Sequence, residues 1–564
     1  MKIISDKSLN NPLIYIFITF ILASFSYELY NRNKLQAIFY VCGFFIFLML
    51  FKGKNIAIIL FLFFIVSINN NIYFYSYIPK EVEEVRVTEV NTYYGKGEIK
   101  GRVVNLVNID SNIQVGNKLL VKGEFIENCN KVKGVVGDYK IKEYLVLQSD
   151  FIDKLYKKRR YIFEKVQNKL GVRKASLITS VSFGYKNELD EDHRTLMGSL
   201  GISHAISVSG LHLVLIYSLL KKILGVKISL GITLIYVLFS GALAPAIRAY
   251  IMIVIMNIGK VVKRNYNPLA AISLSGIILL LMKPYYIYNL GFILSFLATL
   301  GIILFNKRIN KSMYKLPNFI RGTIAISISA QVLTLPVIIL YFNEVSLNFI
   351  IGNIIVIPFI NILVALGNIL IFIVDIPVLF NYIMYLCHYI IKYIDAIMYK
   401  IESISLDLLY FNYTIAYFYI SILIAYYFFK KGFKKFIYFP ILMAIYILIL
   451  IYSPFPRIRY YTEGAISISY KGECVIIKTK DIVDEEKLMA ITLSDKIIEN
   501  VTEVTIGENI KLKECGENFI LQTKKSQYLL FVNYEKSDYE YDIIDFRKGD
   551  IREVTVFNNT IINN

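Results

Sequence analysis

The chain has 564 residues, 56% of them hydrophobic, and carries 62 Lys+Arg against 43 Asp+Glu for a net charge of +19. That much apolar side chain, gathered in runs such as Asn55–Ile68, Ile228–Leu238 and Phe436–Tyr452, excludes an ordinary soluble globular protein. Apolar runs near about 18 residues read as membrane helices, because a backbone in lipid must satisfy its own hydrogen bonds. Excess Lys and Arg in such a chain is read first as topology rather than as nucleic-acid binding. The five cysteines (Cys42, Cys129, Cys387, Cys474 and Cys515) are scattered and form no CxxC pair, which excludes a zinc ribbon or a disulfide framework.

Residues 1–75 hold three apolar segments, near 12–30, 34–51 and 55–69. The run Leu13–Tyr27 has no small-residue cleavage site and is read as a retained helix. Residues 76–150 change character, with short β-type runs at Val85–Val90, Glu98–Val107, Lys118–Ile126 and Tyr139–Val146 divided by Gly and Asn turns. Such strands predict a small OB-like barrel. Its charge is balanced, with 11 basic and 11 acidic residues between 80 and 150, so a spacer or gating role stands beside a DNA-gripping one.

Residues 151–200 are expected to form a basic amphipathic helix, over 151–174, and a linker. Ile152, Leu155, Tyr156, Ile162, Phe163, Val166 and Leu170 fall at helical spacing. The other face carries Lys154, Lys157, Lys158, Arg159, Arg160, Lys165, Lys169, Arg173 and Lys174. The helix would lie in the lipid headgroups, or form a collar that draws a polyanion to a pore mouth.

Residues 201–455 are expected to hold about ten spans, near 204–222, 227–242, 245–262, 268–283, 285–306, 319–343, 347–375, 377–400, 411–429 and 434–453. If the first runs inward, alternate loops gather Lys221/Lys222/Lys227, Lys260/Lys263/Arg264, Lys307/Arg308/Lys311/Lys315 and Lys430/Lys431/Lys434/Lys435 on the inner side. The intervening loops carry little positive charge. This places the N-terminus in the cytoplasm and both the barrel and residues 456–564 outside. The last block is strand-rich, with 15 basic and 19 acidic residues. The expected fold class is therefore a polytopic α-helical membrane protein with an extracytoplasmic OB-like β-barrel insertion and a small β-rich C-terminal domain.

Chemistry concentrates in two stretches. Gly201-Ile202-Ser203-His204-Ala205-Ile206-Ser207-Val208-Ser209-Gly210-Leu211-His212 places imidazoles and hydroxyls in a membrane segment, where polar groups need partners. On one helix His204 and His212 would lie roughly 80° apart and could face one lumen; close helix packing is the alternative. In Gly241-Ala242-Leu243-Ala244-Pro245-Ala246-Ile247-Arg248-Ala249, Pro245 suits a helix start and Arg248 lies about one turn inside an apolar span. A guanidinium there suits phosphate, with a structural ion pair or snorkelling as the bland reading.

In this order the stretches resemble the ComEC competence family. The first is similar to its "GLSHLLAVSGLH" signature, and Pro245–Met252 (PAIRAYIM) to its "PAxRAxIM". Gly291–Ala298 (GFILSFLA) is similar to "GFQLSFLA", with Ile293 where a polar Gln is common. Ala330–Pro336 and Asn353–Pro358 resemble its "AQ..TLP" and "N…VP" stretches. The resemblance covers about 160–370, and five motifs in order make it specific. It implies a channel importing single-stranded DNA across the bacterial cytoplasmic membrane in natural transformation. Expected lining groups are His204, Ser207, Ser209, His212, Arg248, Ser295, Gln331, Thr334 and Asn353, with Lys157, Lys158, Arg159, Arg160, Lys165 and Lys169 attracting the strand. It further implies an extracytoplasmic DNA receptor and a cytoplasmic ATP-driven motor, since the chain has no GxxxxGK[ST] loop of its own. Membrane lipid is the other partner, and a homo-oligomer is left open.

Long members of that family end in a metallo-β-lactamase-like domain. Such a domain needs a His/Asp cluster for zinc, and this chain's four histidines, His193, His204, His212 and His388, all precede residue 389. No cofactor, no metal and no nuclease activity are therefore expected, and the C-terminal block reads as a degenerate remnant or an unrelated small domain. Three other readings stand: a secondary transporter for an anionic solute, a membrane enzyme acting on a phosphorylated or lipid-linked substrate, and a decayed competence protein.

Overall fold

The computed structural model describes residues 11–563 except 92–93, 111, 186–189, 462–463, 480–483, 495, 500–502, 508–509, 517, 524–525, 533–541, 547–552 and 558–559. Ten helices among the described residues are long and apolar enough to cross a membrane, and the chain is a multi-pass membrane protein. It divides into two compact units. The first comprises residues 1–334 and 347–406, the second 335–346 and 407–564.

The first unit opens with α1 (Pro12–Arg32), α2 (Lys34–Lys52) and α3 (Lys54–Tyr75). Polar groups on these apolar helices find partners: Asn71 donates to Ser24 Oγ at 3.2 Å and Asn70 to the Leu281 carbonyl at 3.2 Å. The barrel follows as β1 (Val82–Val90), β2 (Tyr94–Ile99), β3 (Arg102–Val107), β4 (Lys118–Ile126) and β5 (Val135–Val146). It closes in the order β1-β2-β3-β5-β4, with β3 and β5 parallel and the other pairs antiparallel. Closure leaves no free edge, as in the OB-like barrel expected. Alternate residues (Val85, Val87, Leu106, Leu119, Val121, Tyr139) fill its interior. Arg102 ties the barrel to the membrane helices: its guanidinium donates to the Phe74 and Tyr73 carbonyls at 2.9 Å each. These are unpaired carbonyls at the end of α3, where a cation is favoured.

The 151–174 segment is not one helix. α4 (Phe151–Leu170) and α5 (Val172–Phe183) meet at Gly171, whose φ of 84° an L side chain rarely adopts. The stretch expected as a linker holds α5 and α6 (Glu191–Ser199). α5 is buried on every side from Ala175 to Phe183. Three of its four hydroxyls are satisfied in place, as Ser176, Thr179 and Ser180 donate to carbonyls three or four residues back. The core around it is completed by α12 (Phe349–Ile373) and α13 (Pro377–Glu402). A Cβ on Gly367 would collide with Ser182 Oγ, so only glycine lets α12 approach α5 this closely.

Between these lie α7 (Gly210–Phe239), α8 (Ala244–Val261), α9 (Pro268–Met282), α10 (Leu290–Ser312) and α11 (Asn318–Phe342). Gly225, at φ 75° and ψ 178°, splits α7 into two halves. They correspond to the two segments expected at 204–222 and 227–242. The span expected at 377–400 is α13, which is not among the ten long apolar helices. It buries Ile383, Cys387, Ile391, Ile394 and Met398 while Tyr382, Tyr385, Tyr389, Lys392 and Tyr399 are exposed. That is a two-faced helix.

The second unit holds a two-stranded β6 (Glu344–Val345)–β7 (Leu409–Tyr410) pair, α14 (Tyr413–Lys430) and α15 (Phe439–Ile451). Residues 457–563 then form a six-stranded and a five-stranded sheet. Ile458, Ile466 and Ile468 of one share a core with Leu512, Leu521 and Leu530 of the other, which makes a β-sandwich.

Asp150 joins barrel to helix. Its carboxylate caps α4 by accepting from the Asp153 N–H at 2.9 Å and receives the Arg86 guanidinium. Arg86 above all holds its pKa at about 2, below the ordinary 3.8. The stabilisation is thus complete above the unfolded-state value and is lost as pH falls through the folded one. Asp150→Ala is expected to cost about 1 kcal/mol in melts of the solubilised chain near neutrality. Asp150→Asn keeps the cap but removes this acid dependence; melts of wild type and Asp150→Asn that lose stability in parallel below pH ~4 would contradict the assignment.

Candidate polar path and the competence domain

The 201–212 stretch is not one helix. Ser203–Ile206 is a single 3-10 turn, Ser207 and Ser209 are extended, and α7 starts only at Gly210. The roughly 80° relation expected between His204 and His212 therefore does not exist. His204 lies on the turn and is exposed, whereas His212 lies in the first turn of α7 and is buried. The chain breaks here because Gly201, with φ 66°, is pressed onto α12. A Cβ on it would lie 2.9 Å from the Phe349 Cα. His212 then serves the start of α7: its Nδ1 accepts from the Ser209 backbone N–H at 3.3 Å. In the neutral ring the proton is thereby assigned to Nε2.

Arg248 is 7% exposed. Its Nε donates to Ser295 Oγ at 2.9 Å, and the guanidinium carbon lies 5.9 Å from the Phe296 ring centroid. Gly210 sits directly under it, where a Cβ would come within 2.8 Å of Nη2. The guanidinium thus adjoins the amino end of α7, itself partially positive. It forms no ion pair among the described residues. Ser209, His212, Arg248 and Ser295 are thereby one neighbourhood. Gln331 and Thr334 bond each other at 2.9 Å, and Asn353 donates to Ser327 Oγ at 3.0 Å. No hydrogen bond among the described residues joins this second set to the first. Ser207 is half-buried beside the turn.

The basic helix is not a uniform collar. Lys157 pairs with Asp153 and Lys158 with Asp375, each at 2.8 Å. Arg160 donates to the Val115 carbonyl at 3.3 Å. Lys165 and Lys169 are exposed. Arg159 is a correction: it is 6% exposed, because it lies one turn from Ile162 and Phe163 on the packed face.

An ionic knot around the buried His193 was not foreseen. His193 Nδ1 accepts from Arg173 Nε at 3.3 Å, Arg173 Nη2 lies 3.1 Å from Asp395 Oδ2, and His193 Nε2 lies 3.3 Å from Asp395 Oδ1. It joins α5, α6 and α13. Arg173 reads in sequence as part of a basic face and Asp395 as part of a lipid span, so nothing in spacing links them. Among the described residues no group of three or more His, Cys, Asp or Glu is arranged to hold a metal ion.

Comparison with known proteins matches this architecture. Residues 181–433 match the family described as Competence protein. The chain is 27% identical over 223 residues to ComE operon protein 3 of Bacillus subtilis (strain 168), covering 37% of this chain and 28% of that protein. It is 28% identical over 181 residues to an uncharacterized protein of Aquifex aeolicus (strain VF5), covering 30% of this chain and 44% of that one. The matched stretch thus spans less than half the length of either relative. No solved structure matches the chain.

Asp395→Ala leaves the buried His193 imidazole without its carboxylate neighbour, while Arg173 keeps only Asp190, at 4.0 Å. A loss of roughly 1–3 kcal/mol is expected, read as a lower melting midpoint of the purified chain. An unshifted midpoint would show that the knot contributes nothing.

Proposed function

We propose that this chain forms a channel in the cytoplasmic membrane that imports single-stranded DNA during natural transformation. The observation that carries the reading is Arg248: a buried guanidinium without an acidic partner among the described residues, set at the amino end of α7. Both features favour an anion at depth in the membrane. A phosphodiester chain needs such groups, because a bare phosphate has no place in hydrocarbon. Ser209, His212 and Ser295 supply neutral polar groups around the cation, and Gln331, Thr334 and Asn353 extend the polar path. The competence family match supports the substrate.

The potential, negative inside, opposes inward anion movement by roughly 2.3 kcal/mol per charge per 100 mV. A cytoplasmic ATP-driven motor is therefore part of the proposal, docked on inner loops rich in Lys and Arg, and an extracytoplasmic receptor delivers the strand. In this reading the N-terminus is cytoplasmic, and the barrel and residues 456–564 lie outside. The β-sandwich is proposed to be without nuclease activity, since no histidine follows His388.

Arg248→Ala removes a charge-assisted phosphate contact worth about 1.5–3 kcal/mol. Entry of labelled DNA into the cytosol should fall roughly 10–100-fold at equal protein level, with Arg248→Lys intermediate because it lacks the planar fork. Unchanged uptake in Arg248→Ala would remove the channel reading.

A further inference from the structure

A second arginine is buried without a counter-charge, far along the chain from the first. Arg159 of α4 is 6% exposed, and its Nε has no hydrogen-bond partner among the described residues. Neither Arg159 nor its neighbour Arg160 forms an ion pair among the described residues. Both line a cavity of about 210 Å³ together with Gln114 and Val115 of the barrel and the rings of Tyr156 and Tyr185. Leaving a guanidinium dry and unpaired costs several kcal/mol, and among the described residues no carboxylate, the ordinary remedy, lines the cavity. At about 30 Å³ per water the space holds roughly seven waters, ample for a phosphate group.

We propose that this cleft, between the barrel and α4, binds one phosphodiester of a nucleic-acid strand, with Arg159 and Arg160 on the phosphate oxygens and the tyrosines facing the adjoining base. The inference deepens the channel reading, on which it rests for its ligand. The rings favour a strand over a lipid headgroup. Tyr156 and Tyr185 flank Arg159 at 5.3 and 5.8 Å from its guanidinium carbon, and a cation between aromatic faces serves phosphate and base together. The forked geometry of two guanidiniums suits phosphate oxygens better than ammonium groups would. The cleft also explains why a barrel of balanced charge could still receive DNA: the cations come from α4, not from the strands.

The test uses the full chain in neutral-lipid nanodiscs and a fluorescent oligothymidylate, read by anisotropy. Arg159→Gln and Arg160→Gln are each expected to weaken binding roughly 10–100-fold, and inorganic phosphate should compete at constant ionic strength in the wild type. Arg160 is only half-buried, so its variant remains informative where Arg159→Gln fails to fold. Unchanged oligothymidylate affinity in folded Arg160→Gln, with no competition by phosphate, overturns the site. Loss of binding to phosphatidylglycerol vesicles alone, with the oligonucleotide unaffected, also overturns it in favour of a headgroup. In either case uptake that still depends on Arg248 leaves the channel standing, whereas uptake independent of Arg248 with the cleft still binding DNA removes the channel and keeps the cleft.

Discussion

A charge inside an apolar bundle is tolerable only where the fold supplies polar contact for it, and the region around Arg248 is organised by that constraint. The guanidinium fits because residue 210 has no side chain and because α7 begins there rather than six residues earlier. Starting α7 at Gly210 in turn requires the chain to be kept out of the α-helix from Gly201 to Ser209, and the contact of Gly201 with Phe349 holds the start of that stretch. The same break exposes His204 and buries His212. One close approach between a turn and a helix therefore fixes the placement of a serine, two histidines and an arginine.

Close approach is a recurrent device in the first unit. Gly367 on Ser182 and Gly352 on Leu200 and Ile202 let α12 lie against α5 and the 200–202 turn. Without a hydrophobic drive between helices in lipid, such contacts and hydroxyl back-bonding do the work that bulky cores do in water. The barrel is held differently. Its interior is an ordinary alternating core, and its junctions are ionic or capping: Arg102 on the end of α3, and Asp150 between Arg86 and the start of α4. Soluble and membrane-type packing thus coexist within one unit.

The polar residues that the sequence singles out divide on this basis. Arg248, Ser295, Ser209 and His212 do come together, because they lie at helix ends or one turn inside, positions that small residues and Pro245 announce. Gln331 with Thr334, and Asn353 with Ser327, are satisfied locally. Arg159 looked like one more exposed cation in a run of four. Its burial depends on which face of α4 meets α5 and the barrel, which spacing within α4 does not settle when tyrosines flank both sides. α5 went unseen because serines and threonines read as a linker, while the hydroxyls of Ser176, Thr179 and Ser180 are bonded within the helix and fit a core. The two faces of α13 were not separated in the sequence because tyrosine and isoleucine read alike by average hydropathy, although only the isoleucine face is buried.

Sequence by itself determined that the chain crosses a membrane, that a barrel interrupts the early helices, and the order of the motifs. Each of these follows from local pattern: run length against bilayer thickness, alternation against pleat, Gly and Pro against helix. Tertiary structure alone decided where α7 begins, which arginines are buried, and that His193, Arg173 and Asp395 meet. Those outcomes depend on close contacts between segments that can be some two hundred residues apart, such as Asp395 with Arg173. A one-dimensional pattern carries no information about which of many similar small residues will provide such a contact.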